Sequence, residues 1–480
     1  MKRILFATSE AVPFIKTGGL ADVTGTLPPA LTAQGISVSV IIPKYSMIPE
    51  KYRSEMKHLT DFHIAMGWRS QYVGIDYLEI NGVNYYFADN EYYFKQNYVY
   101  SSGDFEAERF CWFCRASIEI MSRLDIVPDV LHLNDWQTGL IPMLLSTQYR
   151  TDSRWEKVKV LYTIHNLRYQ GLMNPRLVNE MLGIGQEALE KAEYYCNVNA
   201  MKAGIVFSDM VSTVSPTYSH EIQTPVYGET LDGLIRYYSH KVVGILNGID
   251  NTLFNPETDV NIPANYSMNN PAGKEVCKIA LQKSVGLEES ADIPIAAVIS
   301  RLTDQKGIDL VQAVVPGLMD LNCQLIVLGM GDNRYENFFS KMQDAYPGKI
   351  AFRSEMNDVL ARCIYAGSDL FIMPSAFEPC GLSQMLALRY GSLPVVRETG
   401  GLADSIAPYN KYTGEGNGFS FRNYLAEELY NCIRDALLLY RNDRTSWDKL
   451  QLQAMSCDFG WQKSAKKYVE LYNKLVNAQI

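Results

Sequence analysis

Short β-branched runs alternate with longer amphipathic stretches along most of this chain, and that alternation fits parallel sheets clothed by helices on both faces. The first series of candidate strands runs Arg3 to Thr8, Ser37 to Ile42, Val83 to Ala88, Val130 to Leu133, Lys159 to Thr163 and Met210 to Val214. A second series runs Ile295 to Ile299, Gln324 to Leu328, Lys349 to Phe352, Leu370 to Met373 and Leu393 to Val396. One hydrophobic core does not grow to 480 residues, so two series imply two α/β domains. The turn-rich stretch Asn247-Gly248-Ile249-Asp250 through Asn255-Pro256 marks the junction, and residues 255 to 275 read as loop. The expected organisation is residues 1–242, residues 243–460 and a final segment 461–480. In that segment Ala465, Tyr468, Val469, Tyr472 and Leu475 share one helical face, so it should dock rather than trail.

A formal net charge of −9 argues against nucleic acid or an anionic membrane surface as partner. No apolar stretch is long enough to suggest a membrane helix. The basic and apolar start ends at Thr8-Ser9-Glu10 without a signal-peptide core, which reads as a buried first strand in a cytoplasmic protein. Nine cysteines scattered through apolar segments fit free thiols in a reducing compartment. Cys111 and Cys114 have C-x-x-C spacing, but Phe110-Cys111-Trp112-Phe113 reads as core helix rather than a zinc or redox site.

One hexapeptide occurs twice, as Thr17-Gly18-Gly19-Leu20-Ala21-Asp22 and as Thr399-Gly400-Gly401-Leu402-Ala403-Asp404. Paired glycines let a backbone approach a ligand closely, and exposed N–H groups at a helix start attract phosphate oxygens. Lys16 adds a cation beside the first copy. A second cation pair, Arg301 and Lys306, follows the candidate strand ending at Ile299, where it is placed to neutralise a diphosphate. Segment Pro374 to Gln384 follows another strand; Glu378 supplies a carboxylate, Pro379 and Gly381 shape the turn, and the N–H groups after Cys380 offer an anion site. Leu131-His132-Leu133-Asn134-Asp135-Trp136 and Thr163-Ile164-His165-Asn166-Leu167 each set polar groups just beyond an apolar strand, where a histidine is often structural. Leu328 to Asp332 resembles half of a dinucleotide fingerprint but lacks the third glycine.

These motifs, taken in order with Asn247-Gly248-Ile249-Asp250, make the whole chain resemble bacterial glycogen synthases and plant starch synthases, glycosyltransferase family 5. The resemblance implies two Rossmann-like domains facing across a deep cleft, the GT-B arrangement, with a C-terminal helix crossing back to the first domain. It implies an acceptor-binding N-terminal domain, a nucleotide-sugar-binding C-terminal domain, and retaining transfer of glucose from ADP-glucose to the non-reducing end of an α-1,4-glucan or glycogen.

By the same resemblance Arg301 and Lys306 hold the diphosphate, aided by backbone around Gly18, Gly19, Cys380, Gly381, Leu382, Thr399, Gly400 and Gly401, with Lys16 approaching the donor phosphates. Glu378 contacts the transferred glucose and His165 lies beside its anomeric region. Asp135 and Asn247 line the sugar pocket, and Glu10 and Tyr100 are acceptor-site choices. The family pattern favours front-face departure and attack, so no nucleophile is assigned. No cofactor and no metal are expected, and oligomeric state is left open. Relatives commonly carry histidine where this chain has Asn134, and some carry an adenine-binding aromatic near Ser354, where Phe352 is the nearest ring.

Two other readings compete. An α-glucan phosphorylase would need a pyridoxal-phosphate lysine, and no motif marks one. A non-catalytic glucan-binding protein is suggested by 31 tyrosines and 6 tryptophans, and intact Arg301, Lys306 and Glu378 argue against it.

Overall fold

The computed structural model describes residues 2–477. The chain forms two compact units, one of Met1–Gly248 with Trp461–Ile480 and one of Ile249–Gly460. No helix among the described residues is long and apolar enough to cross a membrane.

In the first unit the strands are β1 (Arg3–Ala7), β2 (Ser37–Pro43), β3 (Lys57–Met66), β4 (Arg69–Ile80), β5 (Val83–Asp89), β6 (Val130–Asn134), β7 (Lys159–Ile164), β8 (Leu172–Met173), β9 (Glu193–Tyr194), β10 (Asn197–Asn199), β11 (Met210–Thr213) and β12 (Val242–Gly244). Among the described residues the main sheet runs β12-β11-β7-β6-β1-β2-β5-β4-β3, and β8, β10 and β9 form a separate small sheet. From β12 to β5 every pairing is parallel, whereas β4 pairs antiparallel with both β5 and β3. The central strands are apolar and closed off from water, β6 along its whole length, as a sheet covered on both faces requires.

The β3–β4 hairpin is absent from the sequence reading. Strand β3 is a sheet edge with most residues exposed or half-exposed, so it carries no continuous apolar run to betray it. Helix Asp104–Arg123 buries Phe110, Cys111, Trp112 and Phe113 completely. Both of its thiols are free, and burial raises them, Cys114 to about 12. They pack; they do not react.

The last helix, Trp461–Asn477, turns Ala465, Tyr468, Tyr472 and Leu475 inward, with Val469 half-buried and Leu471 buried beside them. It is fastened at both ends within the first unit. Ser464 Oγ donates to Leu246 O, and Tyr472 OH lies 2.8 Å from Nδ1 of the buried His132 on β6. His132 Nε2 meets Thr163 Oγ1 at 2.6 Å, so both ring nitrogens are satisfied and this histidine serves the core.

The second unit has β13 (Ile295–Ile299), β14 (Gln324–Leu328), β15 (Ile350–Arg353), β16 (Leu370–Met373), β17 (Leu393–Arg397) and β18 (Phe419–Phe421), ordered β15-β14-β13-β16-β17-β18 and parallel throughout. Counted along the chain this is the 3-2-1-4-5-6 order of a doubly wound nucleotide-binding sheet. The first unit's parallel strands repeat it, with β5-β2-β1 on one side and β6-β7-β11 on the other. Such a sheet opens a crevice beyond the strand ends where the order reverses. In the first unit that point lies after β1 and β6, and in the second after β13 and β16.

Candidate active site

At the second unit's reversal point two loops meet. The loop after β13 makes a short 3-10 turn, Asp304–Lys306, and the loop after β16 carries Glu378. Gly307, at φ +69°, lets them touch, since a Cβ there would lie 2.1 Å from Pro374 O. Gln305 O accepts the N–H of Ala376 at 2.9 Å. Lys306 Nζ then reaches Glu378 Oε2 at 2.7 Å, and Ser375 Oγ donates to the same oxygen at 3.0 Å. Glu378 is 5% exposed. One ammonium has three N–H donors, so the pairing leaves two for an incoming anion. Arg301 is exposed, and its guanidinium has no ion-pair partner among the described residues.

The Gly400 and Gly401 backbone packs directly against the main chain of Glu378 to Cys380. Gly401 N donates to Glu378 O at 3.1 Å, and a Cβ on Gly400 or Gly401 would lie 2.0 Å from Glu378 O or 2.1 Å from Cys380 O. Gly381, at φ +70°, turns the chain from Cys380 toward helix Ser383–Arg389. The two hexapeptide copies are therefore not equivalent. The first follows β1 and leads into helix Gly19–Thr32, with nothing within 4 Å of where a Cβ on Gly18 or Gly19 would sit. The second follows β17, and its glycines are buried. The glycines of Leu328 to Asp332 also serve close packing, because Cβ atoms on Gly329 and Gly331 would strike Ser300 O and Leu302 O.

At the first unit's reversal point the loop after β1 presents Glu10, and the loops after β6 and β7 present Asp135 and His165. Glu10 is buried; Oε1 accepts from Thr17 Oγ1 at 2.7 Å and Tyr100 OH at 2.5 Å, and Oε2 accepts from Thr17 N. Asp135 has φ 54° and ψ −178°, a region that costs a non-glycine residue about 1–3 kcal/mol. Its Oδ1 accepts the N–H of His165 at 2.7 Å. Asn134 Nδ2 donates to Ala7 O at 3.1 Å, which turns Oδ1 toward His165 Nε2, 2.9 Å away. The imidazole thus carries its proton on Nε2 and leaves Nδ1 as the acceptor.

The comparisons with known proteins bear on these two crevices together. Residues 3–237 match the starch synthase catalytic domain and residues 283–450 match the glycosyl transferases group 1 domain. A glycogen synthase of Desulforamulus reducens is 48% identical over 476 residues, covering 99% of each chain. One from Geobacillus stearothermophilus is 46% identical over 479 residues, covering 99% of this chain and 98% of the other. This chain belongs to the glycogen synthase and starch synthase family. The solved catalytic domain of starch synthase IV from Arabidopsis thaliana, bound to ADP and acarbose, superposes with a TM-score of 0.91 at 31% identity over 99% of both chains. A sucrose-phosphate synthase from Thermosynechococcus elongatus, 17% identical with a TM-score of 0.64 over 100% of both chains, shares the fold.

Against the family's site pattern, the second unit brings Lys306, Glu378, Cys380, Gly400 and Gly401 into one cluster, and the first brings Glu10, Tyr100, Asp135 and His165 to one strand-end face. Lys16 is half-exposed and pairs with Asp22 at 2.8 Å. Asn247 is buried at the end of the first unit, and its Oδ1 has no hydrogen-bond partner among the described residues. Phe352 packs against Phe339 in the core. The sequence does not single out Thr17, which donates to Glu10, or Ser375, which donates to Glu378; both lie inside motifs it does mark.

Burial drives Asp135 up to about 7, with Glu10 adding to the rise and the backbone N–H bonds opposing it; burial drives His165 down to about 3. His165 is therefore neutral near pH 7. An unfolded aspartate loses its proton at about pH 4, whereas folded Asp135 keeps it to about pH 7. The fold therefore binds the extra proton in that window and loses stability as pH rises through it. Asp135→Asn keeps an acceptor for the His165 N–H and removes the titration. Its melting temperature relative to the unaltered chain should climb between about pH 4 and pH 7 and then level off. A difference that stays constant across that range would show Asp135 ionising normally in the fold.

Proposed function

We propose that this chain lengthens an α-1,4-glucan at its non-reducing end by retaining transfer of glucose from ADP-glucose, in the cytoplasm. Kinship with the glycogen synthases supports the reaction class, and the Lys306–Glu378 pair at a strand-order reversal is the observation that carries the site assignment. In the second unit Arg301 and Lys306 neutralise the diphosphate, the backbone of Cys380, Gly381, Leu382, Thr399, Gly400 and Gly401 lines its approach, and Glu378 addresses the glucose hydroxyls. In the first unit Glu10, Tyr100, Asp135, His165 and Asn247 offer hydroxyl, carboxylate, imidazole and amide partners to sugar, with Lys16, Gly18 and Gly19 left for phosphate. Nine free cysteines suit a reducing compartment.

The glucosyl–oxygen bond to the diphosphate breaks as charge builds on the leaving oxygen, and fixed cations stabilise that charge most where they are already in place. The acceptor hydroxyl attacks from the same face and passes its proton to the departing phosphate, so configuration is retained. Glu378 Oε2 is engaged by Lys306 and Ser375, which fits a role in binding better than one as nucleophile.

The deciding assay compares ADP-glucose and UDP-glucose with a glycogen primer. ADP-glucose should be favoured by at least about tenfold in kcat/KM. Elongation with neither donor would defeat the reading. Because protein cations neutralise the diphosphate in this scheme, EDTA at saturating donor should change the initial rate by less than about twofold. Collapse of the rate and its return with Mg²⁺ or Mn²⁺ would show that a metal shares that work.

A further inference from the structure

We propose that Arg397 is a positioning residue for glucosyl transfer, fixing the segment that aims Glu378 at the sugar; this rests on the glucosyltransferase reading above. Strand β16 ends at Met373, which pairs with Val396 on β17. The next residue is Pro374, which has no N–H, so the sheet ladder stops there and the carbonyls beyond it need other donors. Arg397, one residue past that last pair on β17, supplies them from its side chain. Its Nη1 donates to Ala376 O at 2.7 Å and to Ser375 O at 3.3 Å.

Those two residues are the ones that matter for the carboxylate. Ser375 Oγ donates to Glu378 Oε2, and the Ala376 N–H ties the segment to Gln305, beside Lys306. The guanidinium carbon of Arg397 also stands 5.8 Å from the centroid of the Tyr424 ring. Tyr424 OH donates to Asp309 Oδ1 and to Asp304 O, the first residue of the turn that carries Lys306. One half-buried guanidinium is therefore in register with both halves of the Lys306–Glu378 pair while bonding to neither.

A solvated strand-end arginine would not show this pattern of two main-chain acceptors and an aromatic face. Both bonds leave one terminal nitrogen whose two N–H groups are held in the guanidinium plane, whereas a lysine ammonium is a freely rotating head on a flexible stem and holds the two carbonyls less firmly. Misplacing a reacting group by even an ångström from outside the contact layer is enough to slow a reaction markedly.

The test places Arg397→Ala and Arg397→Lys beside the unaltered chain in the ADP-glucose elongation assay, with ADP affinity by calorimetry and the melting temperature measured on each. Arg397→Ala should lower kcat about thirtyfold and leave ADP affinity within about threefold. Millimolar guanidinium should restore at least about fivefold of the loss, and Arg397→Lys should fall between the two. Alanine within about threefold of the unaltered kcat, ADP affinity falling in step with kcat, or no response to guanidinium would each overturn the proposal. If the alanine variant does not fold, Arg397→Lys decides: an unaltered kcat overturns it and a reduced kcat with normal ADP affinity upholds it. An inactive unaltered chain overturns the functional reading and this proposal with it; an active one with undiminished variants overturns this proposal alone.

Discussion

Lys306→Ala is expected to lower glucosyl transfer by at least about 100-fold, the scale of losing one preorganised charge stabiliser, and Arg301→Ala by a similar factor. The two losses differ in kind. Arg301 is exposed and has no ion-pair partner among the described residues, so its removal takes away a cation and leaves the ligand-free protein nearly as it was. Lys306 is paired with a buried carboxylate, and removing it leaves Glu378 with the Ser375 hydroxyl alone on that oxygen. A buried charge stripped of its partner is costly, so Lys306→Ala should also lower the melting temperature, whereas Arg301→Ala should not. Rates and circular dichroism spectra of the two variants check both statements. Turnover within about threefold of the unaltered chain, with an unchanged spectrum, would remove that cation from the chemistry.

Gly401→Ala should be as damaging as loss of the cation, again about 100-fold or more in transfer, though the variant adds only a methyl group. That methyl would sit 2.1 Å from Cys380 O and 2.5 Å from Cys380 Cα, and both are backbone atoms that cannot swing aside. Relief must come from moving the Glu378 to Cys380 chain. Gly400→Ala adds a φ of +44° to a clash with Glu378 O and should behave alike. The matching substitution in the other copy of the hexapeptide makes the control. Gly19→Ala meets open space at the first position of a helix, and losing glycine's freedom in the unfolded chain is worth about 0.4–1 kcal/mol, so that variant should melt no lower than the unaltered chain. Equal melting temperatures for Gly19→Ala and Gly401→Ala would overturn this account of the duplicated motif.

Those glycines mark the limit of what a local sequence pattern can express. Six identical residues in a row give no sign that one pair faces open space and the other is pressed against a neighbouring main chain, because the difference comes from the backbone of Glu378 and Cys380. The parallel strands were legible: Ile295–Ile299, Gln324–Leu328 and Leu370–Met373 end where their apolar runs end, since a strand buried on both faces must be apolar throughout. Strand β3 was not, because a half-wet edge has no such run. Lys306 and Glu378 could each be singled out as charged residues beyond a strand, but their bond spans 72 positions and depends on the strand order, which no local pattern records. Asn134 looked like a departure from the family pattern, and its place between Ala7 O and His165 shows an amide orienting an imidazole. Arg397 carries no local signal, because its hydrogen bonds to Ser375 and Ala376 end on carbonyls, which every residue has.

The closing helix Trp461–Asn477 has a consequence for how the polypeptide is made. It belongs with the first unit, yet the ribosome delivers it after the whole of Ile249–Gly460. At ribosomal elongation rates of about 5–20 residues per second that interval lasts on the order of 10–40 s. Throughout it β6 lacks the covering of this helix, and the hydrogen bond between His132 and Tyr472 cannot form. The second unit is continuous in the chain and can finish while the first waits. Vectorial synthesis thus makes the earlier-born half the later to mature, and the last turns of the chain release it from that wait.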